Sequence, residues 1–333
     1  MPLKVLFIGG TGNISEACAE LAVKKGVELT FLNRGVSKRP IPKGVRSLKA
    51  DIRDKVQYAK AVKGRDFDVV VNWIAFTTEH IQADLDVFEG KVGQYIFISS
   101  ASAYQKPVSH YIITESTPLC NPFWEYSRNK IACEEMLNKA YRENGFPICI
   151  VRPSYTYSRT LIPAGFGAHG FTLVDRMRRG KKILVHGDGT ALWTMTHSDD
   201  FAKGFTGLLG NQQALGHAFH ITSDESLSWN QIYAAIGAAA GAAPRIVHVP
   251  TDLIAALEPE SAPGLSGDKS WSVVFDNSKI KRFVPGFTAT IPFAHGVRAS
   301  VAWHDADPKR KWIDDGINRK MDRIIARYER AFK

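Results

Sequence analysis

The chain opens on an apolar strand that runs directly into glycine. In KVLFIGGTGNIS, β-branched and aromatic residues lead into Gly9-x-x-Gly12-x-x-Ser15 and then into a helical pattern. Glycine at such a corner permits a tight turn and lets backbone N–H groups approach an anion at the positive end of the helix. The N terminus is therefore tied to a parallel β-α-β unit and is a candidate pyrophosphate cradle. Ser15 stands where a third glycine is usual; it is small enough to pack on the strand, or can offer its hydroxyl to phosphate.

The alternation continues along the first half. Short β-branched runs at 4–8, 28–32, 47–50, 69–73, 95–99 and 148–152 are mostly separated by amphipathic stretches at 14–25, 55–62, 81–88 and 126–143. Six strands with right-handed crossovers predict an α/β fold, a Rossmann-type doubly wound parallel sheet, over residues 1–160. Beyond Pro153 the order loosens. Residues 161–171 read as loop, 171–183 as a helix ending at Gly180, 234–244 as an alanine-rich helix stopped at Pro244, and 261–270 as a flexible loop. A smaller C-terminal substrate lobe is expected mainly from 161–333, with 196–224 returning to the first domain.

Composition narrows the function classes. Of 333 residues, 44% are hydrophobic and 23% charged, which excludes disordered and low-complexity chains. No apolar run approaches the ~20 residues of a membrane helix, and no cleavage signal follows the start, so a cytoplasmic protein without membrane association is expected. Cys18, Cys120, Cys133 and Cys149 lack C-x-x-C spacing and are expected to be reduced. The histidines show no metal-ligand spacing, and no metal is expected. The net charge of +10 is concentrated in residues 1–65, which hold 14 basic and 5 acidic side chains. That points to a local anion site and an anionic small-molecule substrate. Nucleic-acid binding is the rival reading of the charge, but no RGG tract or RNA-recognition signature accompanies it.

At the end of the second strand, FLNRGVSKRP carries no acid to accept from a ribose diol and repel a 2′-phosphate. Asn33, Arg34, Ser37, Lys38 and Arg39 follow instead, which favours NADP while leaving NAD possible. Asp51 is placed to accept from an adenine amino group with Ile52 flanking the ring, or else to cap the next helix. Further on, Ser99 and Ser100 end the fifth strand. Tyr126 and Lys130 then share a helix face at i and i+4, an arrangement in which an ammonium lowers a phenol pKa and holds ribose hydroxyls. Trp73, Phe76, Trp124 and Trp193 are candidate pocket walls, though such residues equally fill cores.

With GGTGNIS, ADIRD, VVVNWIAF, ISSASAY, YSRNK, VRPSYTYS and GDGTALWTMTHSDDFA in order, the chain resembles the extended short-chain dehydrogenase/reductases, the superfamily of NAD(P)-dependent epimerases and dehydratases. The resemblance implies that Tyr126 is the acid/base, that Lys130 tunes it and binds ribose, and that Ser100 holds the substrate oxygen. It extends the dinucleotide site from Gly9 and Gly12 to Thr11, Asn13 and Ile14. It adds Trp73 and Ala75 after the fourth strand, and Ser99, Pro153 and Tyr155. Substrate contacts are carried to Phe76, Ser102, Tyr155, Arg176, Trp193 and Arg298. It further implies a homodimer paired through the helices at 81–88 and 126–143.

The departures matter too. Trp193 stands where an arginine commonly grips a nucleotide diphosphate, which shifts that task to Arg176, Arg178, Arg179 or Arg298. Tyr155 stands where asparagine is common, and Ala101 and Ser102 replace the acidic pair of dehydratases, so water elimination is not expected. The chain is also similar to chloroplast stem-loop-binding, epimerase-like proteins. The activity expected is epimerisation by transient oxidation of a secondary alcohol on a nucleotide-linked sugar. The alternatives are an NADP-dependent alcohol dehydrogenase or ketone reductase, and an RNA-binding epimerase-like protein.

Overall fold

The computed structural model describes residues 1–167 and 170–331. The loop reading of 161–171 falls partly on Ala168 and His169, which lie outside the described residues. Strands β1 (Lys4–Ile8), β2 (Glu28–Asn33), β3 (Arg46–Lys49), β4 (Val69–Asn72) and β5 (Gln94–Ile98) belong to one parallel sheet with the strands Ile148–Pro153 and Ala218–Ile221. The spatial order is β3-β2-β1-β4-β5, then Ile148–Pro153, then Ala218–Ile221.

The β1 sequence shows why the sheet is buried on both faces. Val5 and Phe7 enter one core with α1 (Asn13–Lys24) and the helix Ser198–Leu208, while Leu6 and Ile8 enter another with α2 (Lys55–Val62), α3 (Thr78–Phe88) and α4 (Glu125–Asn144). An uninterrupted apolar run is what a strand covered by helices on both sides requires. The seventh strand, AFHI, is too mixed in composition to announce itself; its parallel register with Ile150–Pro153 makes it a strand. Strand order reverses between β1 and β4, which opens a crevice at the carboxyl ends of the strands.

Local chemistry corrects several sequence expectations. Asp54, not Asp51, caps α2, its carboxylate accepting from Val56 N and Gln57 N at 3.1 and 3.0 Å. The alanine-rich helix runs Trp229–Ala240 and stops at Gly241, whose φ of +70° ends it three residues before Pro244. Residues 261–270 are not a loop. Ala262–Gly264 and the π-helical turn Leu265–Lys269 form a strap, held where Trp271 Nε1 donates to Ser266 O at 2.6 Å and Trp229 Nε1 to Lys269 O at 3.0 Å. Among the described residues no helix is long and apolar enough to cross a membrane.

Candidate active site

A cleft of about 780 Å³ follows the carboxyl ends of β1, β2, β4 and β5, from Arg34 at one end to Tyr126 at the other. Its floor is the glycine turn. Gly9 has φ +86°, and a Cβ there would meet Ile74 Cγ2 at 2.4 Å, so both backbone and packing demand glycine. Gly12 is different: its φ is −85°, and a Cβ would meet only Ser15 Oγ, at 3.2 Å. Among the described residues nothing else comes within 4 Å of that position, as suits a ligand lying on the turn. Ser15 does not offer its hydroxyl outward; Ser15 Oγ accepts from Gly12 N at 2.8 Å. Asn13 ties the turn to the far side of the cleft, Nδ2 donating to Thr156 O at 3.1 Å and Oδ1 accepting from Ser158 Oγ.

At the β2 end, Asn33 and Arg34 line the cleft, and Asn33 Nδ2 is a buried donor without a partner among the described residues. Trp73 Nε1, also on the wall, is another. Buried donors left open at a cleft wall fit a ligand rich in acceptors, such as a dinucleotide. Of the neighbouring basic residues, Arg39 is paired with Glu16 at 3.1 Å. Asp51 lines the cleft beside Ile52, and Arg53 grips its carboxylate through Nε and Nη2 at 3.0 and 2.6 Å. That hydrogen bonding lowers the Asp51 pKa to about 2.

At the other end α4 begins, and its first turns carry Tyr126 and Lys130. Lys130 is buried, its ammonium donating to Ala75 O at 2.6 Å and Ile98 O at 2.7 Å and lying 4.7 Å from the Phe76 ring centroid. Burial lowers its pKa to about 8. The Tyr126 phenol faces the same cleft as Ser100; burial raises its pKa above the ordinary value, the Ser100 side chain pulls it down and the Asp268 carboxylate raises it again, so the net shift is upward and not the lowering expected from Lys130. Ser100 in turn is held by Ser102, Oγ to Oγ at 2.9 Å, and Ser102 by Ser127 at 2.8 Å. Ser102 is thus 3% exposed and acts behind Ser100 rather than on the cleft wall.

The structure brings Thr11, Ile14, Ser99 and Pro153 to the same cleft. Ala75 contributes its carbonyl to Lys130 from a buried position. Other expected contacts lie elsewhere. Tyr155 is turned to the backbone of Ala164, its hydroxyl accepting from Ala164 N at 3.1 Å, and Ser154 and Thr156 form the wall instead. Trp193 is 2% exposed, stacked on Trp229 at 5.6 Å in the lobe core. Arg176 is fully buried, its guanidinium bound by Asp322, Asn318 and the Lys182 carbonyl. Arg178 is paired with Asp305 and Arg179 with Asp175, while Arg298 is exposed on the helix Phe293–Asp305, off the cleft wall. His80, which sequence reasoning passed over, also lines the cleft, with Nδ1 3.2 Å from Thr77 Oγ1 at the start of α3.

The family model described as "NAD dependent epimerase/dehydratase family" matches residues 5–222, the stretch that carries this whole cleft. The chain belongs to that family. Among similar proteins, a 2'-dehydrokanamycin reductase of Streptomyces kanamyceticus is 26% identical over 285 residues, 86% of this chain and 80% of that protein. The chloroplast stem-loop binding protein of 41 kDa b of Arabidopsis thaliana is 26% identical over 74% of this chain and 65% of its own length. The fold is that of the Thermus thermophilus UDP-glucose 4-epimerase in complex with NAD, at TM-score 0.71 and 20% identity over 90% of this chain and 98% of that one. This member of the epimerase/dehydratase family, then, brings Ser100, Tyr126 and Lys130 to one cleft and has a tryptophan packed into a core at position 193.

Proposed function

We propose that this epimerase/dehydratase-family protein is an NAD(P)-dependent oxidoreductase acting on a secondary alcohol, or its ketone, borne by a sugar-like ring. The observation that carries the reading is Ser100 and Tyr126 together on the wall of one long cleft that also holds the glycine turn, with Lys130 fixed beside them. A bound nicotinamide dinucleotide would supply hydride acceptance or donation. Ser100 holds the substrate oxygen, Tyr126 Oη gives or takes the proton on that oxygen, and Lys130 places its charge under the phenol.

Ketone reduction is the first reading: a protonated phenol at Tyr126 is the proton donor that a carbonyl oxygen needs as hydride arrives at its carbon. The similarity to a 2'-dehydrokanamycin reductase supports the same reading. Epimerisation of a nucleotide-linked sugar is the second reading, favoured by the family and by the UDP-glucose 4-epimerase fold. It lacks the arginine grip on a nucleotide diphosphate, because Trp193 is core. Mass spectrometry of small molecules released on denaturing fresh protein separates the two. An empty protein that binds added NADPH supports reduction with cofactor exchange; near-stoichiometric retained dinucleotide supports epimerisation.

NADP is the proposed dinucleotide, on the strength of Asn33, Arg34 and the absence of an acid at the end of β2. Arg34→Ala is expected to weaken NADPH binding about 10- to 100-fold with little change for NADH, the magnitude of one charge-assisted hydrogen bond. Fluorescence titration with both cofactors checks this, and equal losses would show that Arg34 meets no 2′-phosphate.

A further inference from the structure

Asp84, midway along α3, is fully buried and takes no part in the chemistry above. Its carboxylate accepts from Tyr58 Oη of α2 at 2.5 Å, from Asn72 Nδ2 at the end of β4 at 2.5 Å, and from Tyr95 Oη of β5. Among the described residues no basic side chain pairs with it. Burial raises its pKa to about 6 although all three hydrogen bonds pull it down, so near pH 7 it is mostly ionised. A buried carboxylate without a cation is costly, and an apolar side chain would fill the same space at less cost.

What the carboxylate sets is the direction of one amide. Ionised, it can only accept, so Asn72 turns Nδ2 towards it, and that leaves Asn72 Oδ1 to accept from Ile74 N at 2.9 Å. Residues 73–76 follow from this hold. Ile74 lies against the glycine turn, where a Cβ on Gly9 would meet its Cγ2. Ala75 O accepts from the Lys130 ammonium at 2.6 Å, and the Phe76 ring lies over the same ammonium and 6.2 Å from Tyr126 between ring centroids. One four-residue segment thus touches both the glycine turn and the Tyr126/Lys130 pair. Tyr58 and Tyr95 occupy the rest of the carboxylate, and neither lines the cleft.

We propose that Asp84 is a positioning residue for the reacting end of the cleft: it orients Asn72, which fixes residues 73–76 and with them the carbonyl that seats Lys130. The effect on turnover rests on the oxidoreductase function proposed above; the effect on the segment itself does not.

Asp84→Leu alone strands three buried donors, so the test uses Tyr58→Phe/Asp84→Leu/Tyr95→Phe, which removes both tyrosine hydroxyls together with the carboxylate. Tyr58→Phe/Tyr95→Phe is its control, because it keeps Asp84 on Asn72. Amide hydrogen exchange of residues 73–76, read by mass spectrometry on the ligand-free protein, should quicken at least about tenfold in the triple variant, the worth of one hydrogen bond, and match wild type in the double. Asn72→Ala, which leaves the carboxylate and its tyrosines in place, should show the same local quickening. NADPH titration followed by fluorescence should weaken about three- to tenfold in the triple variant and not in the double. Turnover of a panel of keto sugars should fall mainly in kcat, since Lys130 serves the reacting group. Equal exchange at 73–76 in the triple and double variants, or unchanged exchange there in Asn72→Ala, overturns the proposal. So does quickening spread evenly over the whole sheet, which is lost fold stability alone. If wild type neither binds NADPH nor turns over the panel, the proposed function fails, and exchange still decides the role of Asp84.

Discussion

Tyr126→Phe is expected to lower turnover about 100- to 10,000-fold, the range that general acid-base groups supply, with dinucleotide affinity unchanged. The ring stays, so its contacts with Trp124 at 4.9 Å and Phe76 at 6.2 Å are kept and only the hydroxyl is lost. The loss should appear in kcat with little change in KM, since the proton moves in the transition state. NADPH oxidation over a panel of keto sugars and hydroxyketones measures it. Activity within about threefold of wild type would remove Tyr126 from the proton-transfer role.

Glu134→Ala is expected to destabilise the protein by about 3–5 kcal/mol, the cost of leaving a buried guanidinium without its counter-charge. Arg152 bonds Glu134 through Nε at 3.0 Å and Nη2 at 2.6 Å, and the two side chains are 6% and 1% exposed. The pair also serves the site, because Ser99 Oγ donates to Glu134 Oε1 at 2.5 Å and so fixes the strand end that presents Ser100. Arg152 further covers the Tyr104 ring at 4.9 Å, and Tyr104 reaches His220 on the seventh strand. Denaturant unfolding should show the loss for Glu134→Ala and recovery of much of it in Glu134→Leu/Arg152→Met, where no charge is stranded. A double variant as unstable as the single one would show that the loss comes from packing and not from the unpaired arginine.

Much of what is local in the chain is legible in the sequence, though not which aspartate caps α2. The glycine turn, six of the seven sheet strands and the Tyr126/Lys130 helix face each follow from spacing within a dozen residues, and together they line the cleft. What escaped depends on distance. The strap reads as a loop because its glycines and serines lack helical periodicity, and its conformation comes from Asn121, Trp229 and Trp124, well over a hundred residues away for two of the three. Arg176 resembled a phosphate ligand by residue type, and only the fold shows that Asp322 meets it first. Trp193 was recognised as a departure, yet that it stacks on Trp229 inside the lobe is tertiary information.

The turn at Ser15 bears on how long a dinucleotide stays. Because Ser15 Oγ takes the Gly12 N–H, a pyrophosphate resting there meets one backbone donor fewer than a turn with glycine in that place would present. Fewer donors shorten residence and speed dissociation. Rapid exchange suits an enzyme that must discharge its oxidised cofactor after every cycle, and it handicaps one that must keep the same molecule through both halves of an inversion.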